Sequence, residues 1–175
     1  MTENHLSSNA AWLRGLVAQY ESQLVRYASR LLGDEERARD VVQDTFLRLC
    51  RQSREKVEQG VRQWLFTVCR RRAMDVLKKE YRMKTLSETA ADSRPGREPE
   101  PVATLQLQEA VGRAAACLED LPENQREVIR LKVQNGLTYR EISEVTGLSV
   151  SNVGFLLHKG MKTLRRQLLV ETTAG

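Results

Sequence analysis

The sequence is poor in the residues that build disulfide frameworks, metal centres and aromatic cores. Aromatic residues make up 5% of the 175 positions, and there are four prolines and three cysteines. The cysteines, Cys50, Cys69 and Cys117, lie far apart without CxxC spacing, which argues against a disulfide framework or a zinc knuckle. The histidines, His5 and His158, are too isolated to form a metal site. We therefore expect neither a metal nor a cofactor.

Long apolar runs and the common catalytic motifs are missing as well. No stretch of about 18 apolar residues is present, so no membrane span is expected. The first residues lack the basic region and apolar core of a secretion signal, which predicts a cytoplasmic protein. There is no P-loop, GxGxxG, nucleophile elbow or HExxH motif, and the acids at 34–36 fit a helix start better than an acid–base site. An enzyme is not expected.

Apolar residues recur at helical spacing through most of the chain without strand-like alternation, which predicts an all-α fold. We expect residues 1–10 to be frayed and a first helix to span 11–32, ending at Gly33. A second helix follows the N-cap Asp34 and runs to about Arg54. Its predicted buried residues are Val41, Val42, Thr45, Phe46 and Leu49. Its predicted outer residues are Asp40, Gln43, Asp44, Arg48 and Arg51.

A polar break at 55–60 precedes a third helix, predicted over 61–83. Its basic residues are Arg62, Arg70, Arg71, Arg72, Lys78, Lys79 and Arg82. Only Asp75 and Glu80 oppose these seven, so the net charge of the segment, +5, equals that of the whole chain. This excess of one sign predicts a functional basic surface with phosphate as counter-charge. The aromatic residues Trp64, Phe66 and Tyr81 suit the stacking of unpaired bases, although Trp64 can equally be a core residue.

The composition changes at 84–104, which holds three of the four prolines and almost no large apolar residues. Such a segment predicts a flexible linker. Helical spacing resumes beyond it, with Pro122 placed where a helix can begin and Val133 among the apolar residues. The sequence therefore predicts two small helical domains, at 10–83 and 105–170.

Within the second domain, residues from Thr138 onward carry the signals of a helix-turn-helix. Thr138 is a predicted N-cap with Glu141 completing a capping box, Gly147 permits a left-handed helix end, and Ser149 can cap the next helix. The predicted apolar stripes are Tyr139, Ile142 and Val145, then Val153, Leu157, Gly160 and Leu164. Basic residues in the second helix are Lys159, Lys162, Arg165 and Arg166. This pattern predicts a recognition helix for the major groove, with a hairpin that only packs as the alternative.

Together these motifs resemble those of bacterial RNA polymerase sigma factors of the extracytoplasmic-function (ECF) group, which carry only regions 2 and 4. Residues 37–49 resemble region 2.2, residues 61–79 resemble regions 2.3 and 2.4, and residues 118–153 resemble region 4. The resemblance covers nearly all of 13–168, with the proline-rich segment where region 3 would be. It implies a protein that binds core RNA polymerase, directs it to a two-part promoter and helps to open the duplex.

The resemblance also implies roles for three groups of residues. Binding to the β′ clamp helices of core polymerase is implied for Asp40, Gln43, Asp44, Phe46 and Arg48. Contact with the minus-10 element is implied for Trp64, Arg70, Arg71, Arg72, Lys78, Lys79 and Arg82. Contact with the minus-35 element is implied for Thr138, Arg140, Ser149, Ser151, Asn152, Phe155, His158, Lys159 and Lys162. Further implied features are contact with the β flap, an anti-sigma partner and a loop at 54–60 that receives a flipped base.

Two departures from the family pattern affect these sites. Arg71 stands where relatives commonly have Asn, and Gly154-Phe155-Leu156 stands where many have a Lys-Ser-Arg run. Phe155 and Leu156 cannot form bidentate hydrogen bonds to bases, but they can contact thymine methyls or a protein such as an anti-sigma factor. Gly154 costs about 1 kcal/mol in a helix interior relative to Ala. The minus-35 sequence preference therefore does not carry over, and the polar candidates are Ser151, Asn152 and His158.

Two other functions use the same features. A polymerase-independent regulator would use the helix-turn-helix as a dimer, but the sequence shows no heptad seam for dimerisation. An adaptor would use the atypical recognition helix to bind protein. Salt dependence separates the adaptor from a DNA-binding protein, whose affinity falls steeply as salt rises.

Overall fold

The structure, a computed structural model, describes the backbone of residues 2–85 and 105–173 and the side chains of 9–83 and 111–169. Every regular element within these ranges is helical, which confirms the predicted all-α class. Most of the predicted linker, 84–104, lies outside the described residues.

The chain divides into two compact units, of which the first is residues 1–97. Its elements are α1 (Thr2–Leu32), α2 (Glu35–Cys50), α3 (Arg54–Val57), a 3-10 turn (Glu58–Gly60) and α4 (Val61–Thr85). Helices α1, α2 and α4 pack against one another in all three pairings. Leu24, Leu49, Leu65 and Phe66 are fully buried and form the centre of this core.

The turn between α1 and α2 forms as the sequence predicts. Gly33 has φ +71°, a left-handed conformation that is nearly strain-free only for glycine. The Asp34 side chain then accepts a hydrogen bond from the Arg37 N–H at 3.0 Å and caps α2. These two local signals turn the chain back, so that α2 packs along α1.

Three predictions about where the helices of this unit begin and end are wrong. Helix α1 begins at Thr2, because no proline or glycine interrupts the first turns and the helix continues through the polar residues. Helix α2 ends at Cys50, four residues before the predicted end. The predicted polar break is helical, because Val57 is buried at 5% exposure and Arg54 pairs with Glu58 at 2.6 Å along the turn.

Two aromatic side chains also differ from expectation. Phe66, predicted to be available for base stacking, is fully buried, and its ring meets the Tyr27 ring edge-on at a centroid distance of 5.3 Å. Phe46, predicted to lie on the buried side of α2, is only half-buried. The core therefore takes Phe66 away from any nucleic-acid surface and leaves part of Phe46 accessible.

The second unit, residues 98–175, is also helical where it is described. Its elements are α5 (Leu105–Glu119), α6 (Glu123–Val133), α7 (Tyr139–Thr146) and α8 (Val150–Thr173). Helix α8 contacts each of the other three. Val128, Leu131, Ile142 and Val153 are fully buried between them.

The predicted helix-turn-helix forms with its predicted caps. The Thr138 hydroxyl accepts from the Glu141 N–H at 3.2 Å, and the Glu141 carboxylate accepts from the Thr138 N–H at 2.7 Å. Gly147 ends α7 at φ +77°. The Ser149 hydroxyl accepts from the Asn152 N–H at 3.2 Å and caps α8. These local hydrogen bonds define the angle at which α8 leaves α7.

Two residues that the sequence placed in apolar stripes are largely outside the core. Val133, the last residue of α6, is 65% exposed, and Tyr139, the first residue of α7, is 44% exposed. Lys132 lies over the Tyr139 ring with its ammonium nitrogen 5.5 Å from the centroid. Both residues are at helix ends, where the apolar stripe extends beyond the packed surface.

An ionic cluster joins α5 to α6. Glu119 pairs with Arg126 at 2.7 Å and also with Arg130. Arg130 is 8% exposed, whereas the Glu119 side chain remains 57% exposed. The buried guanidinium therefore reaches its counter-charge near the surface, which limits the desolvation of the carboxylate.

The two glycines of α8 have different surroundings. A Cβ at Gly160 would lie 2.6 Å from Cδ1 of Ile129 and 3.4 Å from Cβ of Gln125, so α6 passes close to the backbone there. A Cβ at Gly154 would meet only the Tyr139 ring, at an ordinary contact distance of 3.6 Å. Only Gly160 is required by packing.

We expect Gly160→Ala to destabilise the second unit by up to about 2 kcal/mol. Its methyl group must displace the end of the buried Ile129 side chain, at a cost of about 1–3 kcal/mol, and alanine's better helix propensity offsets about 1 kcal/mol of this. The matched variant Gly154→Ala should stabilise it by up to about 1 kcal/mol, because alanine is the better helix former and fits the space. Amide hydrogen exchange in α6 and α8 of the full-length chain measures both effects. Unchanged exchange in Gly160→Ala would show that the Ile129 side chain moves aside at little cost and that packing does not require glycine at this position.

Candidate nucleic-acid and protein interfaces

The outward side of α2 combines acidic, polar and apolar residues. Asp40 and Gln43 are exposed, and Leu47, one helical turn further on, is 54% exposed. We call Asp40, Gln43, Asp44 and Leu47 the α2 outer face. Leu47 is not among the residues that the family resemblance implies for this face, although its place opposite the buried stripe is visible in the helical period. The face thus presents two carboxylates, an amide and one exposed leucine.

Asp44 belongs to this face but also links two helices. Its carboxylate accepts from Arg48 at 3.0 Å along α2 and from Arg72 of α4 at 2.5 Å. Arg37 of α2 pairs with Glu80 of α4 at 2.5 Å further along. Two ion pairs therefore connect α2 to α4 across the surface of the first unit.

The arginine neighbours change the titration of Asp44. Burial raises the pKa of Asp44, but hydrogen bonds and charges from Arg48 and Arg72 outweigh it and hold the pKa below the ordinary value of 3.8. Because the pKa is lower in the folded than in the unfolded chain, ionised Asp44 stabilises the fold above about pH 4. That contribution is lost as the pH falls through the folded-state pKa.

The basic residues of α4 do not all lie on one side. Trp64, Arg71 and Lys78 are spaced by seven residues and share a side of the helix, with Arg82 one turn beyond Lys78. Trp64 is half-buried, and the three cations are exposed. The exposed cations Arg71, Lys78, Lys79 and Arg82 are called the α4 basic face.

The remaining two arginines of the predicted minus-10 group are placed differently. Arg72 points toward α2, where it pairs with Asp44. Arg70 is half-buried. No carboxylate of the described residues pairs with Arg71, Lys78, Lys79 or Arg82. The cations of the α4 basic face are thus open to an external anion, and the exposed Tyr81 is the second aromatic ring near them.

The outward side of α8 lies opposite its buried stripe. Val153, Leu157 and Gly160 are buried, which confirms most of the predicted stripe, and Leu164 is half-buried. The side turned away from them, called the α8 outer face, comprises Ser151, Asn152, Phe155, His158, Lys159 and Lys162. All six are exposed. Leu156, by contrast, is half-buried.

Two other predicted minus-35 residues have local roles at the helix starts. The Thr138 and Ser149 hydroxyls both accept backbone hydrogen bonds as N-caps. Arg140 is exposed over 87% of its side chain and lies 3.7 Å from Glu144. The caps hold the helix N-termini in place, and Arg140 remains accessible for a phosphate.

The described residues contain no group of three His, Cys, Asp or Glu side chains arranged to hold a metal ion. None of the described helices is long and apolar enough to cross a membrane. Burial raises the pKa of the Cys69 thiol to about 12, with a hydrogen bond from Thr45 opposing it in part. Cys69 is therefore a packing residue and not a reactive thiol.

Comparison with known proteins matches both units to one family. The Sigma-70 region 2 model matches residues 16–83, and the Sigma-70, region 4 model matches 112–164. The chain is 30% identical to the ECF RNA polymerase sigma factor SigL of Mycobacterium tuberculosis over 166 residues, which is 93% of this chain and 92% of SigL. It is 28% identical to SigE of Mycolicibacterium smegmatis over 87% of this chain, but spans 60% of SigE.

The fold is also found in a solved sigma factor. The structure of RpoE in complex with the anti-sigma factor NepR from Bartonella quintana matches with a TM-score of 0.68 at 21% identity, covering 90% of this chain and 96% of RpoE. At 21% sequence identity, the similarity to RpoE is evidence for the shared fold alone.

Two helical units, each with a sigma-70 region and an outward-facing helix, define a transcription initiation factor of the sigma-70 type. More narrowly, the chain belongs to the extracytoplasmic-function (ECF) RNA polymerase sigma factors. Such factors bind core RNA polymerase and promoter DNA and are not enzymes. This membership confirms the predicted function over a polymerase-independent regulator.

Arg72→Gln should raise the pKa of Asp44 toward its ordinary value, because one hydrogen bond and one positive charge are removed. The matched variant Arg71→Gln removes a neighbouring cation that does not touch Asp44 and should leave its pKa unchanged. Carboxyl NMR of Asp44 against pH measures both. Equal pKa changes in the two variants would show that general charge, and not the ion pair, determines the titration.

Proposed function

We propose that the three outward faces divide the work of initiation between them. The α2 outer face binds the β′ clamp helices of core polymerase, the α4 basic face with Trp64 engages the minus-10 element, and the α8 outer face reads the minus-35 element. The observation that carries this division is chemical. Two carboxylates and an exposed leucine lie together on α2, whereas α4 and α8 each group several exposed cations that pair with no carboxylate of the described residues.

The α2 outer face suits a protein partner because it offers an apolar centre with a polar rim. Leu47 lies between Gln43 and Arg51 on the exposed side of α2. Interfaces of proteins commonly have such an apolar centre. Phe46, half-buried beside it, adds accessible apolar area, and Arg48 completes the predicted group.

The tests of this face must avoid Asp44. Reversing its charge would place a cation against Arg48 and Arg72 and weaken the link between α2 and α4. A loss of binding would then report on the fold of the unit as much as on the interface. Asp40 is exposed and supplies a charge at the same face without that ion pair.

We expect Asp40→Arg, and separately Leu47→Ala, to weaken co-elution of the full-length chain with core RNA polymerase by tenfold or more on the scale of interface hot spots. Glu21→Arg makes the same charge change at an exposed acid of α1 and is the control. Its binding should match that of the unaltered chain. Undiminished binding of both Asp40→Arg and Leu47→Ala would show that the α2 outer face is not the polymerase contact.

The α4 basic face suits promoter DNA because its cations have no described internal partner. Phosphate neutralisation supplies affinity and makes it salt-dependent. Trp64, half-buried at the other end of the same side, can stack on an unpaired base with part of its ring. The segment 54–60, implied as the receiver of a flipped base, is helical, so a base would be held by its side chains and not by an extended loop.

Lys78→Ala should weaken promoter binding by the polymerase holoenzyme and reduce the slope of log affinity against log salt by about 1. Arg14→Ala removes an exposed cation of α1 and should leave the slope unchanged. Titrations of fluorescent promoter duplex at several salt concentrations provide both slopes. A Lys78→Ala slope equal to that of the unaltered protein would exclude a phosphate contact at this position.

Other partners follow from the same assignment. We place the protein in the cytoplasm, where core polymerase and promoter DNA are found, and we propose contact of the second unit with the β flap. An anti-sigma partner is supported by the solved complex of the similarly folded RpoE with NepR.

A further inference from the structure

Phe155 occupies the centre of the α8 outer face. On the helical period, positions 151, 155, 158 and 162 lie opposite the buried 153, 157 and 160. Phe155 is 61% exposed although it is the bulkiest apolar side chain of the helix. It therefore lies where a recognition helix enters the major groove.

The surroundings of Phe155 are cationic and polar. The ammonium nitrogen of Lys159 lies 5.8 Å from the centroid of its ring. Ser151, His158 and Lys162 are exposed around it, and no described carboxylate pairs with Lys159 or Lys162. The other exposed apolar residues at this end of the helix, Val150 and Met161, lie to the side of this face, and Leu156 is half-buried. Charge complementarity therefore favours duplex DNA as the occupant.

Only one group in the major groove offers apolar contact. Thymine presents a C5-methyl group there, and phenylalanine is among the side chains that contact it. The other base edges present hydrogen-bond donors and acceptors that a phenyl ring cannot satisfy. Lys159, held over the ring, can reach a phosphate beside the same base pair.

We propose that Phe155 is a specificity-determining residue that selects thymine in the minus-35 element through its C5-methyl group. The proposal rests on the proposed function of the α8 outer face. It assigns the selection to apolar contact, whereas Lys159 and Lys162 contribute affinity without sequence preference.

The test replaces thymine by uracil, which removes the methyl group and leaves base pairing unchanged. The holoenzyme formed with the full-length chain first selects minus-35 duplexes from a randomised pool. Each thymine of the selected sequence is then replaced by deoxyuridine. We expect about fourfold weaker binding at one or two positions, the effect of withdrawing one methyl group from water. Phe155→Ala should bind the thymine and uracil duplexes equally, and Phe155→Leu should retain part of the preference.

Met161→Ala is the matched control, because Met161 is exposed on the same helix but lies beside the outer face. It should keep the full preference for thymine. A holoenzyme that selects a sequence yet tolerates uracil at every position overturns the role of Phe155 and leaves the proposed function intact. Discrimination that persists in Phe155→Ala also overturns it, because another residue must then contact the methyl group. Absence of any selected minus-35 sequence would instead remove the proposed function of α8.

Discussion

The close approach of α8 to α6 at Gly160 determines which side of the recognition helix faces outward. Ile129 occupies the space that any side chain at position 160 would need. With Val153 and Leu157 buried on the same side, rotation of α8 about its axis would expose apolar area and open a void beside Ile129. The orientation of Phe155 and Lys159 is therefore a consequence of packing on the opposite side of the helix.

In the first unit, charge and packing together set the corresponding orientation. The core positions α4 against α1 and α2, and the pairs Asp44–Arg72 and Arg37–Glu80 connect α2 and α4 at the surface. These groups are partly exposed, so each pair contributes little to stability on its own. What they change is which cations can bind an external anion. Arg72 is already paired with Asp44, whereas Arg71 and the cations beyond it on α4 are not paired with a described carboxylate.

Local signals made much of the fold predictable, and contacts distant in sequence account for the errors. The caps at Asp34 and Thr138 and the left-handed glycines act within a few residues, so their sequence patterns sufficed. Arg72 could not be separated from Arg71 by sequence, because its partner Asp44 is 28 residues away on another helix. Similarly, Phe66 was expected to be available for stacking, but it is buried against Tyr27, whose ring lies on another helix far away in sequence.

On the proposed assignment, the α4 basic face and the α8 outer face differ in the sequence information that they read from DNA. The cations of the α4 basic face, with Trp64 and Tyr81 on the same helix, suit phosphates and unpaired bases with little regard to sequence. On α8, phosphate contacts by Lys159 and Lys162 would likewise carry no sequence information. Selection among base pairs must therefore come from the uncharged side chains near them. Ser151 and Asn152 can hydrogen-bond to several base edges, whereas the phenyl ring of Phe155 fits only the methyl of thymine. Where many relatives have a Lys-Ser-Arg run, Gly154 and Leu156 remove two charges and Phe155 replaces a serine. On the proposed assignment, the helix therefore loses affinity that salt screens and gains discrimination that salt barely affects.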